Sequence, residues 1–266
     1  MEAVEKELTA AEIAGMGNLK MVTLPSGHYV KIREQNGEDD DILSNPLTAQ
    51  TGDNFSHFIC AIIVETDLTP TGKLNLKTIK EMKLRDKYVI ILASRIHSLG
   101  ETIYFHYDWG KPTGQHKYGE DLNTFIWDYQ TEFPFKGMPG YHPYRAQPYM
   151  NGSETHRELD LKSGKKVRWR YLTVGDERGL LDKPLESKTK NLDLRIRDLE
   201  LLVDGVWIRV ENFKSFNLRE MMEMRNDVKT FDTDFMPLTD IKNPSTGETV
   251  EYPIIGTTDF FYPEEI

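Results

Sequence analysis

Three histidines, His97, His106 and His116, are the nearest thing to a cluster of metal-ligating side chains in this sequence. A hairpin is expected to bring the last two together. They lack the helical spacing and the neighbouring cysteine pair of a zinc site. Cys60, the single cysteine, sits inside the apolar phrase FICAIIV, where a free thiol behaves as a small hydrophobe. A single cysteine also excludes an intramolecular disulfide framework and a thiolate metal cluster. Two glycine-lysine turns, TPTGKL (69–74) and KSGKKV (162–167), lack both the hydroxyl residue after lysine and the upstream glycine of a phosphate loop. The chain contains no Gly-x-Ser-x-Gly elbow, no His-Glu-x-x-His and no G-x-G-x-x-G. The run Asp39-Asp40-Asp41 lacks the alternating ligands of a calcium loop and reads as a solvated helix start. The sequence therefore nominates no catalytic residue, no cofactor site and no metal site. Carboxylate pairs are so plentiful that none stands out for acid/base work.

The elements that would hold such residues are those of a globular chain. Its 266 residues are 38% hydrophobic and 29% charged, with a net charge of −10 and a pI near 5.3. That field repels phosphate backbones and anionic lipids, so protein partners are expected, with no nucleic acid and no membrane. The longest apolar stretch, Tyr88 to Ala93, is too short to cross a bilayer. The acidic N-terminus has no signal-like apolar core, so the protein is expected to stay in the cytoplasm where it is made.

Along the chain, Val4, Leu8, Ala11 and Gly15 mark a frayed helix or a docking arm. Residues 20–33 alternate around a Pro-Ser-Gly turn as a hairpin. NGEDDDILSNP starts a helix that Pro46 ends. Apolar positions 84, 88, 91, 92, 96 and 99, followed by Gly100, predict a largely buried helix. A second hairpin is expected from ETIYFHYDW and LNTFIWDY on either side of GKPTGQHKYGE. Residues 131–155 carry four prolines and many aromatics without period, as a linker or extended arm.

The hairpin LPSGHYVKIR (24–33) then recurs as LKSGKKVRWR (161–170), identical at five of ten positions. NGEDDDILSNP faces VGDERGLLDKP after a one-residue insertion, IKEMKLRD (79–86) faces FKSFNLRE (213–220), and GKPTGQHKY faces KNPSTGETVEY. Four matches in one order predict an α+β fold built by internal duplication of a hairpin–helix–helix–hairpin unit. The expected divisions are an N-terminal arm (1–19), a first repeat (20–130), the linker (131–155) and a second repeat (156–266).

The strand ending LPSG, the basic-apolar alternation after it and NGEDDDILSNP resemble a family of T-even-type bacteriophage baseplate proteins tied to assembly of the baseplate hub. In that family a helix like LRDKYVIILASRIHSLGE leads into a knuckle often written Cys-Pro-x-Cys-Gly. Here the knuckles are GKPTGQ (110–115) and NPSTGE (243–248), which keep proline and glycine and lack every cysteine. The resemblance implies a virion structural or tail-assembly role with other phage tail and baseplate proteins as partners. It places the protein in the host cytoplasm during assembly, then in the tail baseplate if it stays in the particle. No catalytic residue carries over.

Interface anchors are expected among Phe133, Phe135, Tyr141, Tyr144 and Tyr149 of the linker and Phe260, Phe261 and Tyr262 near the end. The basic turn residues Lys165 and Lys166 are expected to face a different partner from that met by His28 and Tyr29. The competing readings are a non-virion assembly chaperone, a small hydrolase or ligand-binding enzyme with its site between the repeats, and a modulator of host proteins.

Overall fold

The computed structural model describes residues 18–127, 134, 137–149, 154–181, 196–232, 237–255 and 258–262. The expected N-terminal arm therefore lies almost wholly outside the described residues. The fold is α+β. It opens with an antiparallel sheet in the order β1-β2-β3 (Leu19–Thr23, Tyr29–Arg33, Ile63–Thr66). Three helices, α1 (Gly37–Ser44), α2 (Pro46–Thr51) and α3 (Asn54–Ile62), lie between β2 and β3. Asn36 caps α1 through a reciprocal box with Asp39. Pro46 does not simply stop that helix. It occupies the first turn of α2, where its missing N–H costs nothing, behind the Asn45 cap.

Helix α4 (Leu76–Glu81) leads into α5, which runs over Leu84–Leu99 as its periodicity predicts, with Gly100 beyond it at φ 88°. Next comes a two-stranded hairpin, β4 (Thr102–Asp108) and β5 (Gln115–Asp121). The return strand is thus QHKYGED, one segment earlier than expected. LNTF forms instead a 3-10 turn, because the Asp121 side chain accepts from Asn123 N–H and closes it.

The second part has a four-stranded sheet in the order β6-β7-β8-β9 (His156–Asp160, Lys166–Arg170, Arg197–Val203, Val206–Arg209). Helix α6 (Val174–Leu181) follows β7, and α7 (Leu218–Phe231) follows β9. The chain ends with the hairpin β10 (Leu238–Lys242) and β11 (Thr249–Pro253) and a short helix, α8 (Thr258–Phe261).

Local geometry recurs in the two parts. Gly27 N–H donates to Leu24 O at 2.8 Å and Gly164 N–H to Leu161 O at 2.9 Å, with the two glycines at φ 84° and 86°. Val30 and Ile32 on β2 are fully buried, as are Val167 and Trp169 on β7. Each middle strand has a register shift at the same place, after Lys31 and after Arg168. Arg33 grips Asp39 with bonds of 2.7 and 2.8 Å, and Arg170 grips Asp176 with bonds of 2.8 and 3.2 Å. Lys31 pairs with Glu65 as Arg168 pairs with Glu200. The helices α1 and α6 begin 137 residues apart, at Gly37 and Val174. The geometry thus aligns Asp39 with Asp176, and the insertion suggested by setting glycine on glycine is not there.

Packing does not divide the chain at 131–155. One core joins residues of β1, β2, α3 and α5 to Leu172, Val174, Ile241, Ile254 and Phe260 from the second part. The β4–β5 and β10–β11 hairpins pack against each other, with Phe105 stacked on Tyr252 at 4.5 Å. A smaller core lies under β7 and α7 around Trp169, Leu199, Met224 and Val228.

Candidate interaction site

Helix α5 is buried on every side from Leu84 to Arg95, charged residues included. A helix apolar on one stripe cannot be surrounded in this way unless each polar side chain finds a partner. The partners come from distant segments. Arg85 donates to Gln147 O and Phe231 O, both at 2.5 Å, and lies 3.5 Å from Asp232 and 4.0 Å from the centre of the Tyr149 ring. Asp86 accepts from Ser26 N–H at 3.0 Å. Lys87 and Tyr88 both donate to Glu177 on α6, Tyr88 at 2.6 Å. Arg95 donates to Phe260 O at 2.6 Å and Gly100 O at 2.9 Å.

Burial dominates the titration of this girder. It pushes Asp86 up to about 6, against the pull of its bonds to Ser26 and of Lys83 and Arg85. It brings Lys83 down to about 8, the ammonium lying 4.6 Å and 5.0 Å from the ring centres of Tyr149 and Tyr171. It raises the Tyr149 and Tyr88 hydroxyls well out of the usual range. The cluster is rich in charge, and its described side chains bond to one another and to backbone, with Arg85 Nε and Ser26 Oγ buried and left over. That arrangement braces two parts of a chain.

Most residues expected as interface anchors are used inside the molecule. Tyr149 is 6% exposed, wedged between Lys83, Arg85 and Tyr171, and its N–H donates to Pro25 O. The Tyr144 hydroxyl sits 2.8 Å from Glu251 and 3.2 Å from Asp240, tying the linker to the last hairpin. Phe260 is fully buried, and Phe261 packs on Phe55 and Phe58. Tyr141 and Tyr262 are the two that stay exposed. Phe133 and Phe135 lie outside the described residues. Lys165 bonds to Glu220 and Ser215 O, and Lys166 to Glu158 at 2.6 Å. With Arg168 on Glu200 and Arg170 on Asp176 and Asp198, these cations of the basic turn and strand are neutralised locally. His28 and Tyr29 at the other turn are likewise held, by Asp67 and Glu65.

The histidines do not gather. His106 faces Lys117 across the ribbon and Tyr107 faces His116, so His106 and His116 project from opposite faces. His97 is bonded to Asn18 O at the end of α5. Among the described residues no group of three or more His, Cys, Asp or Glu side chains could hold a metal ion, and no helix is long and apolar enough to cross a membrane. Asp39 is not solvated, as the triple aspartate suggested. It is 1% exposed and serves Arg33 and the helix cap.

What remains for contact with other molecules includes exposed apolar side chains on several elements, among them Met21 on β1, Leu47 on α2 and Tyr104 on β4. They come in pairs at two places: Leu218 and Met222 on the first turns of α7, and Val206 and Ile208 on β9, the outer strand of its sheet. Sequence reading missed both. Their signal was small: Leu218 and Met222 stand one turn apart on a helix whose other face carries Met221, Met224 and Val228. No family model matches the chain, and comparisons with curated proteins and with solved structures find no match.

Proposed function

We propose that this chain is an internal duplication of an α+β unit that serves, without catalysis, as a structural or assembly component of the baseplate hub region of a contractile-tailed bacteriophage. One observation carries the contact role. The described charged groups of the interior brace the two parts against each other, while unpartnered apolar side chains stand on the rigid starts and edges of elements, α7 and β9. Surfaces of that kind bind proteins. The phage assignment rests on the sequence resemblance around LPSG, NGEDDDILSNP and the two cysteine-free knuckles.

The duplication is supported by recurring bonds that sequence identity alone does not require. Besides the Arg–Asp grips, Gln35 N–H donates to Ser98 Oγ at 2.9 Å and Leu172 N–H to Asp232 Oδ2 at 2.8 Å, with the partners again at matching places. An experimental structure in which residues 156–181 fail to superpose on 19–44 would overturn it.

Mass spectrometry of purified virions tests the component reading. Peptides of this protein at baseplate-like abundance are expected. Their absence from virions, with presence in tail-assembly intermediates, assigns the chain as a non-virion assembly chaperone instead. Absence from both overturns the proposal.

A further inference from the structure

The first turn of α7 presents an apolar face to solvent, with Leu218 72% and Met222 54% exposed. The matching positions of α5, Leu84 and Tyr88, are each 7% exposed. The connection from β7 into α6 covers them. Leu84 N–H donates to Leu172 O at 2.9 Å and Val174 N–H to Met82 O at 2.9 Å, on either side of a bridge between Lys83 and Thr173. This exchange is one rung of antiparallel sheet. At α7 the same rung is unmade. The Leu218 N–H is a first-turn donor that no intrahelical bond can satisfy, and among the described residues it has no partner.

We infer that a second copy of this chain docks its Gln35–Asp40 segment on the exposed start of α7, joining copies head to tail. Gln35–Asp40 is the counterpart of Leu172–Glu177, the segment that covers α5. It already holds the docked shape: Asp39 is gripped by Arg33 as Asp176 is by Arg170, and the Gln35 and Leu172 N–H groups are anchored alike. Asn36, Gly37, Glu38 and Asp40 are exposed. The charges oppose one another: Lys214 and Arg219, the latter 3.9 Å from Glu223, are exposed around the start of α7, against Glu38, Asp41 and the Tyr262-bonded Asp40 on the incoming segment.

The tethered segment carries Leu172, Thr173 and Val174 where the free one carries Gln35, Asn36 and Gly37. A surface that stands in water between encounters must be polar, and the contact it makes is correspondingly weak. A dissociation constant on the order of 10–100 μM suits so small an interface. Because the contact joins two different surfaces, it builds rings or open chains rather than closed pairs. The inference rests on the duplication proposed above and is independent of the phage assignment.

Sedimentation of the full-length protein from about 5 to about 200 μM brackets that range. Mass rising past the dimer, and falling back as salt is added, is the expected result. Leu218→Asp, a substitution at an exposed position, is expected to keep the protein monomeric with an unchanged circular dichroism spectrum. Asn36→Cys and Asn217→Cys, made in separate chains, correspond to the bridged pair Thr173 and Lys83. They should oxidise to a disulfide-linked dimer when mixed and far less when alone, with the wild type as control for Cys60. A monomer at the highest concentration, association untouched by Leu218→Asp, or Asn217→Cys linking preferentially to itself would each overturn the inference. Those failures leave the duplication to the superposition and the phage assignment to the virion measurement.

Discussion

Arg85 and Asp232 lie 3.5 Å apart with their side chains 2% and 3% exposed, one on α5 and the other at the end of α7. Their charges fasten the first part of the chain to the second. Two ions buried together gain little over an apolar pair, but stranding one of them is expensive. Arg85→Ala is therefore expected to cost about 3–5 kcal/mol in urea unfolding. Asp232→Ser keeps an acceptor for Leu172 N–H, as Ser98 is for Gln35 N–H, while stranding the guanidinium. It should cost less than Arg85→Ala, and adding Arg85→Met should restore part of the loss. A double-variant loss equal to the sum of the losses of Asp232→Ser and Arg85→Met alone would show that the pair is not coupled.

The stability of the protein should depend on Asp86 at mildly acid pH. The folded protein holds this proton up to about pH 6, whereas the unfolded chain releases it near 3.8. The contribution is full below 3.8 and is lost as pH rises through 6. Asp86→Asn keeps an oxygen for Ser26 N–H and is expected to flatten the stability profile between about pH 4 and 6. Urea midpoints taken across that window check it. A profile unchanged in the variant contradicts the assignment.

Glu220 should act in the opposite sense. Its bonds to Ser163, the Asn217 N–H and Lys165 hold it down to about 2. Its contribution is present above the ordinary value of 4.5 and disappears as pH falls toward 2. Glu220→Gln should therefore weaken the protein at neutral pH and change little near pH 2, read from thermal midpoints at both.

Much of the fold was legible because its signals are local. Leu84–Leu99 announced itself by period and by Gly100, and the first hairpin by alternation about Pro-Ser-Gly. The polar residues of α5 were not legible as buried, because their partners Glu177, Asp232 and Phe260 are far away in sequence. The linker tyrosines misled for the same reason: Tyr144 and Tyr149 carry an anchor's chemistry, but they anchor this chain to itself. A sharper sign for the proposed duplication was available. Arginine followed six residues later by aspartate, at 33/39 and 170/176, sets the two segments side by side without an insertion.

The two hairpin turns should respond alike to substitution. Gly27 and Gly164 share a left-handed conformation at φ 84° and 86° with open space where a Cβ would stand, so only backbone strain opposes alanine. Gly27→Ala and Gly164→Ala are each expected to cost about 1–2 kcal/mol, and equally. Differential scanning calorimetry would register unequal costs if the turns were held differently.

The contact role itself is tested most directly by capturing the tagged protein from phage-infected cells during tail assembly and identifying what comes with it. The prediction is recovery of tail and baseplate proteins, reduced when Val206 and Ile208 are replaced by aspartate. Recovery of the protein without any tail component would contradict the account.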